Sequence, residues 1–141
     1  MVNRTNTAVA GPIPGVADMD LHLMTRRRVN LLLIGPEGVI QDTLYSLGPE
    51  LAKPVRTWTA PDPLELPHPS QPGTLILRNV AALSPIDQSR LCNWMEQSAG
   101  RMRVVGTTNG PLMAKVDSGA FLDHLYYRLN VGMVDMMADH I

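Results

Sequence analysis

A single cysteine, Cys92, leaves this chain without a disulfide framework or a thiolate metal cluster. Aromatic residues make up only 4% of it, too few for a base-stacking surface. Neither sign of charge dominates. Twelve Lys and Arg stand against 13 Asp and Glu, for a formal net charge of −1. That balance supplies no general attraction to nucleic acid or to an anionic membrane, so direct DNA binding is not expected. Apolar runs are short. Leu31 to Ile34 is as long as they become, far below a membrane span. The start, "MVNRTNTAVAGPIPGVADM", lacks the continuous apolar core of a signal peptide. A cytoplasmic location is therefore expected. The four histidines, at positions 22, 68, 124 and 140, show no metal-ligand spacing with carboxylates or with Cys92. No metal is expected.

What is present is enough for one domain: 141 residues, 45% of them apolar. Residues 1–28 are rich in small residues and proline, show no sustained period and end in three arginines, Arg26 to Arg28. They read as a flexible lead-in. The folded part is expected over residues 29–141. Val29 to Ile34 reads as a buried strand stopped by Gly-Pro, and Val39 to Ala52 as a helix with Leu44, Leu47 and Leu51 on one face. Val55 to Thr59 alternates and is β-branched, so it reads as a second strand. "APDPLELPHPSQP", residues 60–72, holds five prolines and forbids regular structure. "GTLILRNV" reads as a third strand. In "LSPIDQSRLCNWMEQ", Ser84 is a natural N-cap, Pro85 suits the first helical position and Asp87 favours the positive end of the dipole. "MRVVGTTN" reads as a fourth strand, "LDHLYYRLN" as the end of a helix, and Val131 to Met136 as a last strand. Strands alternating with helices imply an α/β domain: a three-layer sandwich around a mainly parallel sheet of about five strands.

The stretch "NLLLIGPEGVIQDTL", residues 30–44, has the outline of a phosphate-binding strand, loop and helix. Such a loop cradles phosphate oxygens with backbone N–H groups while a lysine ammonium reaches the outer phosphates. Here Gln41 occupies the lysine position. Gly35 and Gly38 therefore read better as a strand-to-helix turn than as a working cradle. Asn109 reads equally as a cap on the following turn. Asp117, Asp123 and His124 lie close in sequence, but no serine or cysteine elbow accompanies them.

In order, "GTLILRNVAALSPIDQSRLCNWM", "RMRVVGTTN" and "GAFLDHLYYRLNV" resemble the central AAA+ domain of the bacterial activators of sigma-54 RNA polymerase. The family's segments run approximately GTLFLDEVAELSPxxQxxLL, RxIAATN and GxFRxDLYYRLNV. "LYYRLNV", Leu125 to Val131, is the most specific match. The resemblance implies a P-loop NTPase fold without the lid domain, and aligns residues 35–42 with the phosphate loop GESGTGKE. Gly35 and Gly38 then match two glycines. Ile40 stands for the third, Gln41 for the lysine and Asp42 for the glutamate. The metal-holding carboxylates fall on Arg78 and Asn79, and the first arginine finger on Leu122. Asn109 keeps the sensor position and Arg128 the second conserved arginine. The sigma-contacting GAFTGA loop has no counterpart between Val55 and Pro72.

The resemblance thus implies a degenerate nucleotide pocket at Gly35, Glu37, Gly38, Gln41, Asp42, Arg78, Asn79, Asn109 and Arg128. Arginine in place of a Mg²⁺ ligand puts positive charge where the metal belongs. Four losses in one mechanism imply an inactive domain that holds no cofactor. Its expected role is protein interaction and regulation in transcriptional or signalling control, with an AAA+ activator or a second copy as partner. The alternative is a divergent ATPase that keeps nucleotide binding. Arg78 is expected within about 4 Å of Asp42 or Glu37, closing the former pocket with the chain's own side chains.

Overall fold

The computed structural model describes residues 29–137, so the lead-in expected over residues 1–28 lies outside the described residues. Five strands make one sheet: β1 (Leu31–Ile34), β2 (Val55–Thr59), β3 (Gly73–Arg78), β4 (Met102–Thr108) and β5 (Gly132–Asp135). Four helices accompany them: α1 (Glu37–Leu47), α2 (Pro85–Ser98), α3 (Met113–Asp117) and α4 (Asp123–Leu129). Single 3₁₀ turns lie at Gly48–Glu50 and Val80–Ala82.

The spatial order is β2-β3-β4-β1-β5, and every neighbouring pair is parallel. A right-handed crossover lies on one face when the chain moves one way across the sheet, and on the other face when it moves back. From β1 the chain moves three places to β2, carrying α1. Every later connection moves the opposite way. One face is accordingly covered by α1 and the 3₁₀ turn after it, while α2, α4 and the proline-rich connection cover the other.

The two cores follow strand alternation. Leu31 and Leu33 of β1 join Ile76, Val105 and Val134 beneath Ile40 and Leu47 of α1. Leu32 and Ile34 point oppositely and join Leu75, Leu77 and Val104 beneath Leu91, Trp94 and Met95 of α2 and Leu125 and Leu129 of α4. The central strands are buried on both faces, which is why they read as continuous apolar runs.

Residues 60–72 form no helix or strand, as five prolines require. They are nevertheless fastened down. The Trp58 indole donates to the Pro63 carbonyl at 3.0 Å and the Trp94 indole to the Pro67 carbonyl at 2.7 Å. Leu64 is buried in the larger core, with Leu66 packed against it. Gly73 opens β3 with φ +129°, and a Cβ there would lie 2.4 Å from the Pro54 carbonyl oxygen. Glycine is required at this close approach between strands.

Several element boundaries moved. The first helix begins at Glu37 rather than Val39, and it ends at Leu47, with a 3₁₀ turn over the following Pro49. Its buried stripe is Ile40, Thr43 and Leu47, so Leu44 is only partly covered. Asn79 is not part of the third strand. It takes the left-handed conformation, φ 62° and ψ 50°, and turns the chain into the Val80–Ala82 turn. The α2 start is as read: the Ser84 side chain accepts from the Asp87 N–H at 3.1 Å, and Pro85 is the first helical residue.

Candidate functional site

The chain leaves β1 towards one side and β4 towards the other, so a crevice opens at the carboxyl ends of these neighbours. Gly35 follows β1, Arg78 ends β3 and Asn109 follows β4. Three adjacent strands thus deliver most of the expected pocket residues to one edge.

The link between β1 and α1 is only Gly35 and Pro36. Gly38, expected within a turn, already belongs to the helix, and no atom would crowd a Cβ there. Ile40 is 0% exposed and packs with Leu31, Leu33 and Leu47. A β-branched residue at the third glycine position therefore pulls this segment into the core as a first helical turn. The Gly35 N–H donates to the Thr108 carbonyl at 3.1 Å, so the strand end itself is also fixed.

Arg78 reaches back over that turn. Its guanidinium forms a salt bridge with Glu37, and its other terminal nitrogen lies 3.5 Å from Gln41 Oε1. The Arg78 side chain is 18% exposed and Glu37 62%. Asp42, the other candidate partner, is exposed and not bonded to Arg78. Helix geometry decides this: at 100° per residue Gln41 lies about 40° around α1 from Glu37, whereas Asp42 lies about 140° around. Asn109 donates to the Gly35 carbonyl at 3.1 Å and to the other Glu37 oxygen at 3.4 Å. It ties two strand ends together and does not cap its own turn. The Thr108 hydroxyl takes that task, donating to the Gly110 carbonyl at 2.9 Å. The Asn79 N–H donates to the Thr107 hydroxyl at 3.2 Å, and no bond joins its side chain to this cluster.

Arg128 lies apart from these groups. It pairs with Glu96 of α2 at 2.7 Å. With Asp123, His124 and Tyr127 it lines an open cleft of about 300 Å³ on the outward face of α4. Tyr127 is 62% exposed, and Leu125, Tyr126 and Leu129 form the buried side. Leu122, at the arginine-finger position, is the N-cap residue of α4. Among the described residues no group of three or more His, Cys, Asp or Glu side chains is placed to hold a metal ion. None of their helices is long and apolar enough to cross a membrane.

Two polar clamps were missed in the sequence. Gln88, 2% exposed, donates to the Leu83 and Ala120 carbonyls and accepts from the Leu122 N–H at 2.8 Å. It seats the segment before α4 on α2. Asn30 accepts from the Val104 N–H at 2.9 Å and donates to the Arg128 carbonyl at 3.1 Å. Gln88 stands at the Q of the family string LSPxxQ, the one signal that could have singled it out, and Asn30 directly precedes the first strand; only the fold brings their partners near.

An all-parallel sheet with helices on both faces and a strand–turn–helix at the switch point is the doubly wound α/β plan, which P-loop NTPases share with other folds. Solved structures agree. NtrX from Brucella abortus in complex with ADP superposes with a TM-score of 0.70 at 15% identity, over 94% of this chain and 37% of that one. The P-loop NTPase domain of the sigma-54 transport activator from E. coli gives 0.54 at 20% identity, over 77% of this chain and 97% of that one. The family model of the sigma-54 interaction domain matches residues 17–138, and the chain belongs to that family. The match begins inside the stretch that reads as a lead-in. A curated relative, the Nif-specific regulatory protein of Azotobacter vinelandii, is 33% identical over 70 residues, 42% of this chain. The aligned part spans 13% of that protein's length.

Proposed function

We propose that this sigma-54 interaction domain hydrolyses no nucleotide and acts as a cytoplasmic protein-interaction module in transcriptional control. The observation that carries the reading is the β1–α1 connection. A phosphate cradle needs a loop of backbone N–H groups around an open space. Here two residues join strand to helix, Ile40 is anchored in the core, and Arg78 is drawn onto Glu37. Arg78 also puts a cation at the end of β3, where a Mg²⁺ ligand would have to be an oxygen donor.

Residues 60–72, where the sigma-contacting loop has no counterpart, are a strap held by Trp58 and Trp94, so contact with a partner is assigned elsewhere. The outward face of α4, with exposed Tyr127 and the polar side chains of Asp123, His124 and Arg128, offers a mixed apolar and polar surface for a second copy or an AAA+ activator.

The test is thermal melting of the purified protein with millimolar ATP and Mg²⁺, paired with sedimentation. A ligand that binds only the folded state raises the melting temperature by mass action. The expected result is no shift and a monomer or dimer unchanged by nucleotide. A Mg²⁺-dependent rise, or a hexamer formed on ATP addition, would replace this reading with the divergent ATPase.

A further inference from the structure

We infer that Glu37 is an internal counter-ion: its carboxylate occupies the oxyanion position of the strand-end crevice and keeps external phosphate groups out. This rests on the inactive-domain reading and deepens it. Both Glu37 oxygens are engaged, each from a different strand. Oε2 pairs with the Arg78 guanidinium at the end of β3, and Oε1 accepts from the Asn109 amide beyond β4. A guanidinium and an amide N–H converging on two oxygens of one anion form the donor set that a phosphate would take.

The Arg78 side chain is more than four-fifths covered, so its charge needs a partner in place. Gln41 lies beside its second terminal nitrogen at 3.5 Å as a neutral acceptor. Glu37 thus supplies the negative charge. It is held on α1, whose side chains Ile40 and Leu47 are fixed in the core, so the carboxylate is presented at high effective concentration. An external anion must displace the Glu37 carboxylate to reach Arg78. The crevice is occupied by sequence, without ligand.

Removing the carboxylate should therefore uncover a binding site that the wild-type domain hides. The probe is inorganic pyrophosphate without divalent cation, at fixed ionic strength, read by calorimetry and by melting temperature. Glu37→Ala is expected to bind pyrophosphate at least about tenfold more tightly than wild type, a difference easily read in a dissociation constant. Glu37→Ala/Arg78→Ala should lose the gain. Circular dichroism checks that each variant is folded. Glu37→Gln, which retains the side-chain length and an acceptor for Asn109, serves if the alanine variant does not fold, and should shift in the same direction.

Equal affinity in the wild type and the folded Glu37 variant would overturn the inference. So would a gain that survives loss of Arg78. Failure here is separable from failure of the inactive-domain reading. That reading fails on wild-type protein with Mg²⁺-ATP, whereas this one fails on the comparison of variants without metal.

Discussion

Restoring the phosphate-loop residues should not restore the phosphate loop. Consider Ile40→Gly with Gln41→Lys, the two changes that rebuild the expected glycine and lysine. Ile40 is 0% exposed, within the core formed by Leu31, Leu33, Leu47, Ile76 and Val105. Truncating a buried isoleucine to alanine costs about 2–5 kcal/mol, through lost burial and the cavity left behind. Going on to glycine inside a helix adds about 0.5–1 kcal/mol of backbone entropy. The sum, about 3–6 kcal/mol, is a large share of the roughly 5–15 kcal/mol that holds a domain folded. Gln41→Lys adds a cation next to Arg78, where Gln41 Oε1 now accepts, and so weakens the variant further. The assay is urea denaturation followed by circular dichroism. With slopes of about 1–3 kcal/mol per molar urea, the midpoint should fall by at least about 1 M. Comparing Ile40→Ala with Ile40→Gly isolates the helical contribution: alanine should be the more stable. The double variant should show no Mg²⁺-dependent stabilisation by ATP. Near-wild-type stability of Ile40→Gly, or ATP stabilisation of the double variant, would refute the claim that this segment is a core-anchored helix.

Three further outcomes follow from the packing. Gly73→Ala should destabilise the domain by about 1–3 kcal/mol or more, because a left-side φ and a 2.4 Å contact with the Pro54 oxygen both oppose a Cβ; an unchanged urea midpoint would refute this. Trp94→Phe keeps an aromatic side chain but loses the 2.7 Å bond to Pro67 and some buried volume, so it should cost at least about 0.5–1.5 kcal/mol and quicken proteolysis within residues 60–72. Gln88→Leu should cost about 1–3 kcal/mol for each buried backbone group it leaves unsatisfied among Leu83, Ala120 and Leu122, measured again by urea denaturation; a neutral effect would mean that Gln88 is not the clamp.

The sequence by itself determined the α/β class, the five strands, the irregular proline segment and the Ser84 cap. These depend on local signals: apolar runs of strand length, prolines without an N–H, and an acceptor three residues before a helical N–H. The family was also legible, in strings such as "LYYRLNV" that retain their residue order. Tertiary structure decided the details of the site. Glu37, not Asp42, meets Arg78, because helix phase is set only once the start of α1 is known, and that start depends on Ile40 entering the core. Asn109 became a tie between strand ends because β1 and β4 are neighbours, although their residues are more than seventy positions apart. Arg128 went to Glu96 because α4 packs beside α2 on the face opposite α1. Gln88 and Asn30 acquired their roles in the same way. A hydrogen bond between distant segments has no local pattern, since its partner is chosen by the fold that brings the segments together.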